Sequence, residues 1–369
     1  MKSRPGIALV LALLTILLLQ LLMAGVLAVA TLQKSLAQTR VATARAQLAA
    51  RAGPGLALQN WANSAAARLP DGARIPGPAG TFAGAHYQTE IERVSGSAFL
   101  IRVSGAVGDW RAPAAVASAG FLVQTLDPDP IAASFPAAVA TSGPVLLSGS
   151  SRIDGASGDE LPPTWAAQRC EPLRPLPASS TGITVPSAGD VVLEQASTIT
   201  GFPAISAGAA PAPDIAGFEQ LAARADHTIT GLITPEPQLA AGRCDTDDPA
   251  NWGATLHATH PCADWFPVIH APGDLQVSGG SGQGILLVEG DLTISGATFN
   301  GLIVALGSLT LRDGAHVRGA ASTLNSTAPI RLVNASISRC ECTLRSALLL
   351  SEAVGTPTPR PGRSWVPIY

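Results

Sequence analysis

The hydrophobic pattern of the chain opens with one long apolar run. Residues 7–30 carry no charge, and a helix of 24 residues spans about 36 Å at about 1.5 Å per residue. That length is sufficient to cross a bilayer. A cleaved secretory signal has a shorter apolar core. The pattern therefore predicts a transmembrane helix that stays with the mature protein.

The helical pattern continues beyond the apolar run. Residues 32–69 are rich in Ala, Leu, Gln and Arg, which favour helix. The first strong breaker is the Gly-Pro-Gly at 53–55, so we expect one rod that extends to about residue 68, with a kink near Pro54. Lys2 and Arg4 precede the run, which keeps the N-terminus in the cytoplasm and makes residues 1–6 a cytoplasmic leader.

Alternation of apolar and polar residues then predicts a small antiparallel sheet. Residues 86–107 give two strands joined by a Ser-Gly turn, and residues 115–128 give a third. We assign residues 69–136 to this β-meander. The Pro-containing stretch 127–136 marks its boundary.

The strongest internal signal is a repeat of 17 residues. GILLVEGDLTISG (284–296) aligns with GLIVALGSLTLRD (301–313), and GDLQVSG (273–279) falls on the same frame. Such a repeat predicts a β-helix, or solenoid. In it Leu292 and Ile294 point inward and stack on Leu309 and Leu311, while glycines occupy the corners.

Glycine-spaced segments elsewhere extend the predicted β-helix over residues 137–350. Residues 143–155 share the Gly-x5-Gly spacing of 284–296 and are expected to form its first coil, and segments at 189–201, 227–233 and 330–338 can add others. Insertions at about 156–188 and 234–268 are predicted as loops, and residues 351–369 as a C-terminal tail. The predicted fold class is mainly β with a long N-terminal helix.

Composition and charge argue against a helical bundle and against a nucleic-acid-binding function. Charged residues make up 13% and aromatic residues 4% of the chain, with 37 Gly and 30 Pro, which is typical of turn-dense β structure and unlike a helical bundle. A formal net charge of −3 gives no electrostatic case for binding nucleic acid. No phosphate-binding loop, nucleophile elbow or zinc-protease helix is present, so we predict no cofactor.

One loop concentrates polar residues that can bind metal or form a disulfide. It contains Cys244, His257, His260 and Cys262, residue types that bind zinc, but their spacing fits no standard zinc finger. We expect a Cys244–Cys262 disulfide and no metal, with zinc as the alternative. Its acidic turn, Asp245, Asp247 and Asp248, is a weaker calcium candidate and is read as solvated.

An enzymatic alternative rests on two carboxylates. Asp274 and Asp291 occupy equivalent corners of successive repeats, and glycosidases use paired carboxylates. Each Asp follows a Gly in a turn, where its side chain can accept a backbone N–H, and the third repeat carries Ser308 instead. We therefore predict no catalytic residue and no enzymatic activity.

A family resemblance follows from the N-terminal residues. Arg4-Pro5-Gly6-Ile7-Ala8-Leu9-Val10, the Ala/Leu run and TLQKSLAQTRVATARAQ (31–47) resemble type IV pilins, and more closely PilX-type pilus-assembly proteins. The glycine-spaced strands and RSWVPIY (363–369) resemble the outer region of the PilX type. The resemblance implies cleavage by prepilin peptidase after Gly6, with Ile7 as the mature N-terminus. Leu11 occupies the position where pilins usually carry Glu.

The resemblance implies a non-enzymatic, single-pass protein of the bacterial inner membrane, with most of the chain in the periplasm or in a surface appendage. Its partners would be inner-membrane lipid, other pilin-like subunits and pilus-assembly proteins, contacted through the N-terminal helix, and its outer surface would serve assembly or adhesion. Two alternatives stay open: a membrane-tethered β-helix unrelated to pili, and a carbohydrate-active β-helix enzyme.

Overall fold

A long N-terminal helix is followed by strands in mainly parallel sheets. The computed structural model describes residues 5–61, 63–126, 131, 135–155, 180–208, 215–255, 259–325, 327–359 and 365–366. The helices are α1 (Pro5–Gln59), α2 (Asn63–Ala67), α3 (Ile215–Ala222), α4 (Glu341–Leu350) and α5 (Glu352–Gly355), with a 3-10 turn at Ala188–Asp190.

Four consecutive antiparallel strands make up most of the first sheet, which two strands from the end of the chain complete. The four are β1 (Arg74–Phe82), β2 (Ala85–Ser95), β3 (Ala98–Val107) and β4 (Ala115–Gln124), paired in that order. The alternation in the sequence predicted β2, β3 and β4 and missed β1, which contains Pro76 and Pro78. Proline is tolerated there because β1 is an edge strand, and its register with β2 shifts between Pro76 and Ala79.

The second half of α1 lies directly on this sheet. Ala46, Ala49 and Ala50 are buried against it, and a Cβ added to Gly105 of β3 would lie 2.2 Å from the Ala46 carbonyl oxygen. This packing carries the helix through Pro54, since tertiary contacts decide helix stability more than propensity does. α1 ends at Gln59, earlier than the residue 68 expected, and the short α2 follows.

Strands of two to eight residues follow between residues 137 and 338, interrupted by α3 and by loops. They are β5 (Ala137–Thr141), β6 (Val145–Ser148), β7 (Arg152–Asp154), β8 (Thr181–Val185), β9 (Val191–Leu193), β10 (Thr198–Thr200), β11 (Ile205–Ala207), β12 (His227–Thr228), β13 (Gly231–Ile233), β14 (Leu239–Ala240), β15 (Arg243–Cys244), β16 (Val268–Ala271), β17 (Leu275–Ser278), β18 (Ser281–Val288), β19 (Leu292–Ser295), β20 (Thr298–Ala305), β21 (Leu309–Arg312), β22 (His316–Thr323), β23 (Ile330–Val333) and β24 (Ser336–Ser338). β8 lies inside the insertion expected at 156–188, so the part of that segment from residue 181 is sheet; residues 156–179 lie outside the described residues.

Parallel pairing gathers these strands into two sheets, apart from the antiparallel β14–β15 pair. Within the described residues, one sheet has seven strands in the order β13-β17-β19-β21-β23-β6-β9. The other has eleven, with the order β10-β7-β24-β22-β20-β18-β16-β12 and with β5, β8 and β11 joined through β22. The 17-residue repeat sets the register, because Leu292 pairs with Leu309 and Ile294 with Leu311. All four of these side chains are buried, as expected.

The order in which these segments stack differs from their order in the chain. We call each segment that contributes strands to both sheets a layer and name it by its residues. The layers lie in the order 227–233, 268–278, 281–295, 298–312, 316–338, 137–154 and 181–200, and β11 pairs with β8 beyond the last of them. Residues 143–155, expected to begin the stack, therefore lie beside layer 316–338. Glycine spacing identifies a layer but does not specify its neighbour.

Two apolar clusters hold this region together. One lies between the two sheets and includes Leu286, Ile303 and Leu332. The other covers the outer face of the eleven-stranded sheet, where Leu344 and Leu348 of α4 belong to the same cluster as strand residues such as Ile285. The segment 341–350 was expected to continue the β-region. It forms the helix α4 instead. The apolar side chains of α4 cover the outer face of β18 and β20, so both faces of these strands are buried.

The tail returns to the first sheet. β25 (Thr358–Pro359) and β26 (Trp365–Val366) pair antiparallel with β4. The rings of Trp365 and Phe121 lie 5.0 Å apart in an edge-to-face arrangement. The segment 351–369, predicted as a tail, therefore supplies edge strands to the antiparallel sheet.

Candidate functional site: an exposed N-terminal stem

The first part of α1 exposes its whole apolar surface. We call residues 9–45 the stem. Every residue from 9 to 41 is exposed, including Leu11 at 61% and Leu27 at 70%. Among the described residues α1 is the one helix long and apolar enough to cross a membrane. A continuous apolar surface of this size marks a site of contact with lipid or other helices, which is consistent with single-pass anchoring.

The predicted processing bond lies at the start of α1. The described chain begins at Pro5, the first residue of the helix, a position that suits proline because its missing N–H would have no partner there. Gly6 and Ile7 are the next two residues. The peptide bond between them is therefore in the first helical turn.

The stem carries only positive charge. Residues 1–70 contain seven of the 23 Lys and Arg and none of the 26 Asp and Glu. The remaining 299 residues therefore carry 16 basic and 26 acidic side chains, a formal charge of −10 against +7 for the first 70. Beyond the apolar run the basic residues on α1 are Lys34, Arg40, Arg45 and Arg51, and all four are exposed.

The polar loop predicted as a disulfide or metal site contains a disulfide. The sulfur atoms of Cys244 and Cys262 are 2.11 Å apart. The backbone N–H of Cys262 donates to Nδ1 of His260 at 3.1 Å. His257 lies outside the described residues. Within the described part of the chain no three His, Cys, Asp or Glu side chains are grouped to hold a metal ion.

The acidic residues of this loop close backbone turns. Asp245 Oδ1 accepts the N–H of Asp247 at 3.2 Å, and Asp248 Oδ1 accepts the N–H of Ala250 at 2.8 Å. These are hydrogen bonds of the kind that Asp makes two residues along the chain in turns. Asp245 and Asp248 are half-buried and Asp247 is exposed.

The two carboxylates behind the enzymatic alternative link successive layers. Asp274 Oδ1 accepts the N–H of Asp291 at 2.8 Å, and Asp291 Oδ1 accepts the N–H of Ser308 at 2.7 Å. At each of these turns the carboxylate accepts a backbone N–H of the next layer, as a carbonyl oxygen does within the strands. The row ends at Ser308, which donates its N–H to Asp291 and carries no carboxylate of its own.

Several polar features of the fold had no signal in the sequence. Cys342 is disulfide-bonded, whereas Cys340 is a buried free thiol whose pKa is raised by burial. His316 of β22 is largely buried beside Ser336, and burial, together with Arg318, lowers its pKa to about 4. These positions follow from the stacking order and from the cover formed by α4, which local patterns do not reveal.

Asp226 is a further titratable group, partly buried, and it joins α3 to the first strands of the parallel sheets. Its N–H donates to the Val268 carbonyl oxygen at 2.8 Å, and its Oδ2 accepts the Val268 N–H at 2.7 Å. Burial, aided by the charge of Glu352, raises its pKa to about 6, although the hydrogen bond from Val268 opposes this. The charged carboxylate therefore destabilises the folded protein.

We expect Asp226→Asn to raise the free energy of unfolding at pH 7.5 by about 1–2 kcal/mol, because an amide oxygen still accepts the Val268 N–H and carries no charge. A carboxyl whose folded pKa is raised stabilises fully below its unfolded value of 3.8, and this contribution is lost as the pH rises through about 6. The gain should therefore shrink at pH 4.5. Urea titrations at both pH values measure it.

The exposed neighbour Glu219→Gln on α3 serves as the control and should change stability little at either pH. His316 acts in the opposite direction, because its lowered pKa removes stability as the pH falls below 6.5 towards about 4. The comparison between variant and wild type at each pH cancels that contribution. A gain for Asp226→Asn that is equal at pH 4.5 and 7.5 would contradict the assignment.

Comparison with known proteins gives no family for this chain: no family model, curated protein or solved structure matches it. The function is therefore argued from the stem and from the packing of the region beyond it.

Proposed function

We propose that this protein is a non-enzymatic, membrane-anchored component of a type IV pilus or a related secretion machine, similar to a minor pilin. Residues 7–30 anchor it in the bacterial inner membrane, and the bulk of the chain lies in the periplasm or in a surface appendage. The stem packs beside the stems of other pilin-like subunits and assembly proteins. The outer surface serves assembly or adhesion.

The observation that carries this proposal is the division of α1 into two halves. One continuous helix is exposed and apolar over its first half and lies on the antiparallel sheet over its second. A simple anchor needs no extension of this kind. A rigid extension fixes the height and orientation of the attached region above the bilayer, as an assembling subunit requires.

We also propose that the parallel sheets form a β-helix. The supporting observation is the bend of the long strands: β22 pairs with β24 over residues 316–318 and with β5 over residues 321–323, with Gly319 between. One strand thus serves two sides of a layer, and the seven-stranded sheet supplies a third. A stiff column of this type can present a surface far from the membrane.

The experiment that tests the pilin-like assignment is intact-mass measurement of the protein extracted from membranes of a strain with prepilin peptidase. We expect a mass that lacks residues 1–6, with Ile7 methylated. A Gly6→Leu variant is the matched control, since it should reach the membrane and keep its leader. Wild-type protein with an intact Met1 would favour the tether unrelated to pili. Soluble protein that begins after Ala30 would overturn the anchoring as well.

The carbohydrate-active alternative has its own test. Incubation of the full-length protein with a panel of polysaccharides should release no fragments. Cleavage that is abolished by Asp291→Asn would overturn the non-enzymatic assignment, because an amide at this position still accepts the Ser308 N–H and preserves the fold.

A further inference from the structure

A seam of polar and small side chains runs along the exposed side of α1. Its members are spaced alternately four and three residues apart, the heptad spacing by which one helix contacts another. They are Gln33, Ala37, Arg40, Ala44, Gln47 and Arg51, and all six are exposed. At about 100° per residue the seam lies roughly 140° around the helix from the buried Ala46, Ala49 and Ala50.

The two arginines of the seam have no ion-pair partner among the residues that the structure describes. Arg40 and Arg51 are eleven residues apart, which places them about 16 Å apart on nearly the same line of the helix. The first 70 residues supply no carboxylate. The charge is therefore available to a partner.

A second copy does not complement this seam. Stems anchored in one membrane with the same orientation lie parallel, so a seam-to-seam pair would place arginine against arginine, and like charges at facing positions destabilise. Lipid headgroups do not complement it either. Arg51 lies 21 residues beyond Ala30, about 31 Å along the helix, whereas charge attraction to a surface decays over about 8 Å at physiological salt.

A groove beside the seam supplies a place for partner side chains. It has a volume of about 470 Å³ and lies between α1 and β4, where Gln47, Arg51, Ser118 and Trp365 line it. The small Ala44 leaves room for close approach of a second helix. Basic, small and amide side chains thus alternate along a continuous exposed surface.

We propose that this seam binds a parallel helix of a different protein, one that carries carboxylates at heptad spacing above the membrane. The inference rests on the proposed function, since it names the chemistry of the stem that packs beside this one. Glutamate or aspartate of the partner pairs with Arg40 and Arg51, and its small residues face Ala37 and Ala44. The protein is thereby a heterotypic subunit and not a self-associating one.

The test uses the full-length protein in nanodiscs of zwitterionic lipid. The probe is a fluorescent peptide of about four heptads with alternating Glu and Ala along one face, and binding is followed by anisotropy. The Arg40→Gln/Arg51→Gln variant should raise the Kd about tenfold, as two lost surface ion pairs imply. The control Lys34→Gln/Arg45→Gln removes the same charge from another face of the helix and should raise it less than about threefold.

Each other result overturns the proposal. Equal weakening by both variants would indicate non-specific attraction, and equal affinity for a peptide with Gln in place of Glu would exclude carboxylate recognition. Absence of saturable binding to the wild type would exclude the helical partner. Loss of vesicle binding by the seam variant, seen with anionic lipid and not with the peptide, would assign the seam to lipid. Leader cleavage after Gly6 is measured separately, so failure here leaves the proposed function standing.

Discussion

Gly301→Ala should lower the free energy of unfolding by more than about 4 kcal/mol, among the largest effects of a single substitution. Gly301 has a φ of +142°, and an added Cβ would lie 2.0 Å from the Gly284 carbonyl oxygen. Gly284, Gly301 and Gly319 pair in register at the bend of three consecutive strands. Backbone would have to move in neighbouring layers to admit one methyl group.

The measurement is chemical denaturation of the full-length protein in detergent, followed by circular dichroism. Gly314→Ala is the matched control: Gly314 also has positive φ, at +80°, but an added Cβ meets no atom within 4 Å. Its cost is the backbone strain alone, about 1 kcal/mol. Similar losses for the two variants would show that close approach between layers does not constrain the bend.

Gly105→Ala should weaken the attachment of α1 to the antiparallel sheet by about 2–4 kcal/mol, because the new methyl would lie 2.2 Å from Ala46 O and 2.9 Å from Ala50 N. Helix and sheet must separate to accommodate it. The apolar stem remains in the detergent or lipid. We therefore expect only the second half of α1 to separate from the sheet. Trypsin cleavage after Arg51 should accelerate, which gel electrophoresis of timed digests measures.

Gly55→Ala is the control for this substitution. Gly55 lies in the same helix, an added Cβ there meets nothing within 4 Å, and alanine favours helix by up to about 1 kcal/mol over glycine. Cleavage after Arg51 should therefore slow or stay unchanged. If Gly105→Ala leaves the digestion rate at the wild-type value, the close contact with α1 is not what holds the sheet.

Local patterns in the sequence predicted the pieces of this fold better than their arrangement. The 17-residue frame places Leu292 on Leu309 because strand pairing repeats the same side-chain alternation in each layer. The repeat does not tell which strands residues 137–154 pair with. The exposed edge of a parallel sheet can pair with any strand that runs in the same direction. β1 was missed because its prolines are tolerated only at an edge, which is a property of the finished sheet.

For the candidate site, the uncharged run at residues 7–30 predicted the apolar stem, and the structure leaves residues 9–41 exposed over their whole length among the described residues. The heptad seam is also present in the sequence, at positions 33 to 51. The sequence alone does not identify it as an exposed surface, because that requires knowing which face of α1 packs on the sheet. Asp226 and His316 carry no sequence signal, because their pKa values depend on burial beneath segments far away in the chain.

The stacking order has a consequence for biogenesis. Ser148 bonds to the Leu332 carbonyl oxygen across 184 positions of the chain, so the strands of residues 137–154 emerge from the ribosome long before the edge on which they rest. They cannot complete their pairing until residues 316–338 have been synthesised. A polypeptide truncated before residue 316 would leave residues 137–154 without these pairing partners, so residues 316–338 are required to complete both parallel sheets.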